Sequence, residues 1–256
     1  MRVSLMITCV VDVVAPEVGE ASVRVLRAAG CDVSCDLAQT CCGQPAWNAG
    51  FAREAAKVAR ATLGALEAEL DRGAEAVVVP AGSCATMVRQ FWPELFDVVG
   101  DADDAARARR VGAHTYELSE FLATRADALP ALRLDRPLRV ALHQSCHMLR
   151  ELRIVDQPAA LVDAVDGCAP IGWEGADRCC GFGGTFSVKL PEASVAMADE
   201  KLRALAVVEP DVVVGCDTSC LMHLQTRSEA TGAPIHVRHL AEVLAAALPD
   251  DAGARP

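Results

Sequence analysis

Short apolar runs alternate along the chain with longer stretches of helical periodicity. Residues 2–9 (RVSLMITC) and 139–146 (RVALHQSC) are apolar runs of strand length, each ending on a cysteine, and both read as buried strands. After the first comes PEVGEASVRVLRAAG, a helical pattern closed by Gly30, and then CDVSC; after the second come PAALVDAVDG and APIGWEG. Alanine-rich stretches at 52–73 and 191–208 predict long helices, one ending at Gly73 and the other just before Pro210. Valine-rich runs at 74–80 and 211–216 predict the next buried strands, and 114–126 and 236–248 read as closing helices.

The same order of elements thus occurs twice. Cys9 and Cys41 are separated by 31 residues and Cys146 and Cys179 by 32, room for one helix and a short strand. A duplication follows: an α/β fold of two tandem units of mostly parallel sheet flanked by helices, related by pseudo-twofold symmetry. The first unit is expected over 1–130 and the second over 135–248, with the proline-bearing stretch 127–138 as the join and 249–256 as a tail. In such sheets ligands gather beyond the carboxyl ends of the strands, where Cys9, Cys84, Cys146 and Cys216 fall.

Composition narrows the function. The net charge of −11 leaves no basic surface for nucleic acid, and only 4% of residues are aromatic, too few for base-stacking platforms. No apolar run is long enough to cross a membrane. The opening MRVSLMITCVVDVV is interrupted by Asp12 and reads as a strand rather than a leader, so a cytoplasmic setting is expected. Twelve cysteines in a reduced compartment point to metal or redox chemistry rather than disulfides.

Two stretches concentrate that chemistry, TCCG at 40–43 and RCCGFGGTFS at 178–187. Neighbouring side chains in extended chain point apart, so paired cysteines that converge need a turn; Gly43, Gly181 and Gly183 permit one and let the backbone approach a cofactor. In the second unit Cys146, Cys179, Cys180, Cys216 and Cys220 are candidate ligands, with Cys216 and Cys220 read as one face of a helix. Soft thiolates of this number suit an iron–sulfur cluster, with zinc as the rival. The first unit offers Cys9, Cys41, Cys42 and Cys84, and Met87 stands where a further cysteine would complete the parallel. Cys31, Cys35 and Cys168 lie outside the repeat and read as structural, while His147 and His223 adjoin candidate ligands.

With Cys9, Cys41-Cys42-Gly43 and Cys84 answered by Cys146, Cys179-Cys180-Gly181 and Cys216, the chain resembles the duplicated cysteine-rich CCG domain family. That family includes the cysteine-rich component of heterodisulfide reductase and the iron–sulfur subunits of glycolate oxidase and anaerobic glycerol-3-phosphate dehydrogenase. The chain is most similar to its lactate-utilization members. It carries both CCG units without an N-terminal ferredoxin-like extension, and has Ala81-Gly82-Ser83-Cys84 and a closing stretch from Gly215 to His223. The resemblance implies a cytosolic iron–sulfur electron-transfer subunit of a complex oxidising L-lactate, or a related 2-hydroxy acid, to pyruvate. Its partners would be a ferredoxin-like iron–sulfur protein and a further lactate-utilization subunit. It also implies [4Fe–4S] clusters, one in each unit, either cubane or of the non-cubane kind held by heterodisulfide reductase. Met87 and the wider Cys216–Cys220 spacing depart from that relative's CxxC ending. Two other readings stay open: a catalytic subunit that cleaves a disulfide or oxidises the hydroxy acid at such a cluster, with Arg89, Arg178 or Lys189 available to grip a carboxylate, and a structural zinc scaffold.

Overall fold

The computed structural model describes residues 1–250, so most of the expected tail lies outside the described residues. The first unit runs β1 (Arg2–Leu5), α1 (Cys9–Val14), α2 (Pro16–Ala28), β2 (Asp32–Ser34), α3 (Gln44–Asn48), α4 (Ala52–Asp71), β3 (Ala76–Val79), α5 (Gly82–Thr86), α6 (Trp92–Val98), α7 (Ala102–Ala113), β4 (Thr115–Glu117) and α8 (Leu118–Ala123). The second runs β5 (Leu132–His143), α9 (Gln157–Asp163), β6 (Val165–Ile171), α10 (Phe186–Lys189), α11 (Pro191–Val208), β7 (Val212–Gly215), α12 (Thr218–Ala230), β8 (Val237–His239) and α13 (Leu240–Ala246).

Each unit holds one four-stranded sheet, ordered β2-β1-β3-β4 in the first and β6-β5-β7-β8 in the second. Every pairing is parallel. Helices cover both faces, which is why β3 (AVVV) and β7 (VVVG) are buried at every position rather than at alternate ones. The long helices present one stripe to these sheets: Ala55, Ala59, Thr62, Leu63 and Leu66 from α4, and Ser194, Ala198, Lys201 and Leu205 from α11.

The units are related as the duplication predicts. Helix α13 packs on α2 and, reciprocally, α8 packs on α9. This exchange of equivalent partners is the mark of a twofold contact. One continuous core runs through both units, from Val3 and Leu26 to Val214 and Leu244.

Three local expectations are corrected. The first strand stops at Leu5 rather than Cys9: Thr8 adopts φ 68° and its side chain accepts the Val11 amide hydrogen bond, so Cys9 opens a helix. The expected closing helices each begin with a strand, β4 and β8, that completes the sheet edge before α8 and α13 start. Strand β5 begins at Leu132, inside the stretch expected to be the join, because its first residues pair with Val165 and Asp166 before a bulge.

Candidate metal centre

The carboxyl ends of both sheets face one cavity between the units. Cys9, Cys41, Cys42 and Cys84 line it from the first unit, and Cys146, Cys179, Cys180 and Cys220 from the second, together with Gln44, His147, Gly183 and Asp217. All twelve cysteines carry free thiols.

Equivalent elements deliver each set. Cys9 opens α1, and Cys146 lies directly after the loop that leaves β5. Cys84 is the third residue of α5 and Cys220 the third of α12, both helices following the valine-rich strand. The paired cysteines turn into the cavity through glycines of positive φ, 86° at Gly43 and 90° at Gly181. There is no space for a side chain at either: a Cβ on Gly43 would stand 2.7 Å from the Ala55 carbonyl oxygen, and one on Gly181 2.5 Å from that of Ser194. The same turns aim amides at sulfur, with Gly43 N and Gly181 N each donating over 3.4 Å to Cys41 and Cys179, and Phe182 N over 3.5 Å to Cys180. Gly183, also at positive φ, lines the cavity beside them.

The sulfurs crowd one another. Cys42 and Cys84 stand 3.4 Å apart. Thiol hydrogen bonds from Cys42 and Cys9 hold Cys41 well below the usual thiol range, and those from Cys146 and Cys180 do the same for Cys179. Their donors shift in the opposite direction: hydrogen bonding to Cys41 and burial push Cys9 and Cys42 up, and hydrogen bonding to Cys179 and burial push Cys146 and Cys180 up. Cys220 keeps a thiol hydrogen bond with Cys180, yet burial raises it. Each set therefore supports a thiolate but resists ionising as a whole without a multivalent cation among the sulfurs. Soft, convergent, desolvated donors of this kind fit an iron–sulfur cluster or zinc.

Cys216 does not line this cavity. It is the residue directly after β7, in the place Pro80 takes after β3, and lines a small adjoining pocket with His143. Its thiol, 2% exposed, is instead pushed up by burial and lies near Glu117 and Ser119 of the first unit. With α12 starting only at Thr218, Cys216 and Cys220 do not share a helix face. The counterpart of Met87, three residues past Cys84, is then His223, three past Cys220; Met87 itself is fully buried in the core. Cys31, Cys35 and Cys168 are also away from the cavity. Arg89 is paired with Glu120 at 2.6 Å, Arg178 with Glu174 and Glu200, and Lys189 lies over the Phe51 ring, so none is free at the site to hold a carboxylate.

Several supporting residues were not anticipated. Trp92 Nε1 donates to the Cys42 carbonyl at 2.8 Å, and Gln44 Nε2 bridges the units, donating to Ser83 O at 2.9 Å and meeting His147 Nε2 at 3.3 Å. Asp217 Oδ2 accepts the Ser83 amide at 2.9 Å, a second link between the two cysteine helices. Lys201, 2% exposed, donates to the carbonyls of Gly175, Ala176 and Arg178, fixing the loop that ends in Cys179, and its ammonium sits 4.8 Å over Trp173. Burial lowers it to about 8. Its signal in the sequence was periodicity: a lysine seven residues after Ser194 lies on the buried stripe of α11.

Comparison with known proteins agrees with the duplication. The cysteine-rich CCG domain matches twice, at residues 3–89 and 140–225. The chain is 42% identical over 246 residues to lactate utilization protein A of Anoxybacillus flavithermus, covering 95% of this chain and 99% of that protein. Against the protein of the same name from Geobacillus kaustophilus it is again 42% identical over 246 residues, covering 95% and 98%. A hypothetical protein from Helicobacter pylori shares the fold at a TM-score of 0.67 and 9% identity, the match covering 98% of this chain and 49% of that one. Among the described residues no helix is long and apolar enough to cross a membrane.

Proposed function

The chain belongs to the cysteine-rich CCG domain family, and from that premise we propose that it is the iron–sulfur electron-transfer subunit of a complex that oxidises L-lactate or a related 2-hydroxy acid. The observation that carries this reading is the pair of four-cysteine sets facing one cavity. Its metabolic setting is supported by the similarity to lactate utilization protein A along almost the full length of both proteins.

Cys9, Cys41, Cys42 and Cys84 would hold one cluster and Cys146, Cys179, Cys180 and Cys220 the other. When bound, iron–sulfur clusters accept and release single electrons. The protein's own part is to hold and insulate them. Amides of Gly43, Gly181 and Phe182 stabilise charge on the sulfurs, as hydrogen bonds to cluster thiolates do. Gln44, Trp92 and Lys201 fix the loops that carry the cysteines. Among the described residues, the cavity lining holds no arginine or lysine of the kind that substrate carboxylate recognition uses. That favours lactate binding on a companion subunit, with a ferredoxin-like iron–sulfur protein and one further lactate-utilization protein as partners.

Anaerobic reduction tests the reading. The isolated, metal-loaded chain is expected to bleach with dithionite but not with L-lactate, and to bleach with lactate once its two companions are added. Lactate oxidation by the isolated chain would overturn the division of labour, and failure to bleach under any reductant would overturn the electron-transfer role.

A further inference from the structure

His143 is the last residue of β5 and lies three positions before Cys146. Its side chain is 2% exposed, and neither ring nitrogen reaches a partner in good hydrogen-bond geometry, the Ala176 backbone being its one polar contact of note. Buried imidazoles without well-formed hydrogen bonds are costly and uncommon. This one is aimed at sulfur: a ring nitrogen and the Sγ atoms of Cys180 and Cys220 all lie within 4.8 Å of one another. The other two histidines near the site are engaged. His147 Nε2 meets Gln44 at 3.3 Å, and His223 Nε2 meets the Ser194 hydroxyl at 3.2 Å.

The first unit lacks this feature. The residue three positions before Cys9 is Met6, buried and without a nitrogen donor. The strands align on either side of that difference, Leu5 pairing with Val78 as Leu142 pairs with Val214. The two centres are therefore built from the same cysteines but not the same donors.

We propose that His143 is a metal ligand of the second unit, supplying a ring nitrogen to the metal held by Cys180 and Cys220 and so making a mixed cysteine–histidine centre beside an all-cysteine one. The proposal rests on the cluster-binding reading for its metal, while its geometry is independent of which soft metal is bound, since imidazole suits iron and zinc alike.

The test is pulsed electron paramagnetic resonance on protein labelled with ¹⁵N-histidine, in wild type, His143→Leu and His143→Gln. Iron and sulfide analysis of the same samples judges the cluster reading separately. Spectra are taken on the protein's own reduced iron where iron is bound, and on cobalt(II) loaded into the metal-free protein where it is not. The expected result is a strong ¹⁵N coupling, of the size produced by direct coordination, that disappears in both variants while circular dichroism stays unchanged. Only weak coupling in the wild type would overturn the proposal. So would a strong coupling that survives in either variant.

Discussion

Cys84 and Cys220 occupy equivalent places in the two repeats, each the third residue of the helix that follows the central valine strand. We take this equivalence, rather than the first cysteine met after β7, as the basis for assigning the two proposed ligand sets. Cys220→Ser should therefore empty the second unit's centre, whereas Cys216→Ser should leave metal content unchanged and alter only stability. Metal analysis of the two variants side by side checks this; loss of metal in Cys216→Ser would restore that residue as a ligand.

The turn glycines are predicted to be irreplaceable. Gly43→Ala and Gly181→Ala force an alanine to positive φ, at a cost of about 1–2 kcal/mol, and also drive its Cβ against the backbone carbonyls of Ala55 and Ser194. Each should lower the denaturation midpoint and deplete metal from its own unit only. Wild-type metal content in either variant would contradict the role given to these turns.

Lys201 holds three carbonyls of the loop before Cys179. Lys201→Met keeps the volume but leaves the Arg178 carbonyl without a donor, while Gly175 O and Ala176 O keep the amides of Arg178 and Gln144, with an expected destabilisation of about 1–3 kcal/mol. Removing a buried cation beside the second set should also lower that centre's reduction potential. In the first unit the corresponding buried position on α4 is Thr62, which accepts the Thr40 amide at 2.9 Å, and Thr62→Val should leave both potentials nearly unmoved. Potentiometric titration separates the two outcomes.

Glu117 and His239 end β4 and β8 at equivalent register positions, and both are buried helix caps. Burial raises Glu117 to about 7 and lowers His239 to about 4. The signs are opposite. The unfolded chain ionises Glu117 near 4.5, so stability is full below that pH and falls as pH rises toward 7, by about 3 kcal/mol. The unfolded chain protonates His239 near 6.5, so its share is full above that pH and is lost as pH falls toward 4, again by about 3 kcal/mol. Glu117→Gln should flatten the alkaline side of the stability profile and His239→Asn the acid side, since both replacements keep a cap acceptor. Denaturant titrations from pH 4 to 8 read both, and profiles unchanged by either substitution would contradict the assignment.

The sequence made the duplication, the long helices and eight of the cavity cysteines legible because each leaves a strong local trace: a repeated pair, an alanine-rich helical period, a valine run. The edge strands Thr115–Glu117 and Val237–His239 left none, being three residues long and running straight into helices. Cys216, which does not line the cavity, was hard to place for a different reason. It is the first cysteine after β7, yet Cys84 follows Cys9 by 75 positions and Cys220 follows Cys146 by 74, against 70 for Cys216. His143 carried no signal, because a histidine within an apolar run becomes distinctive only once its missing partners and its distance to sulfur are known.

The most direct measurement is iron and acid-labile sulfide in anaerobically purified protein, taken with Cys42→Ser and Cys180→Ser. About four irons and four sulfides per occupied unit are expected, with Cys42→Ser emptying only the first unit and Cys180→Ser only the second. Zinc without sulfide, or metal content indifferent to both substitutions, would contradict that.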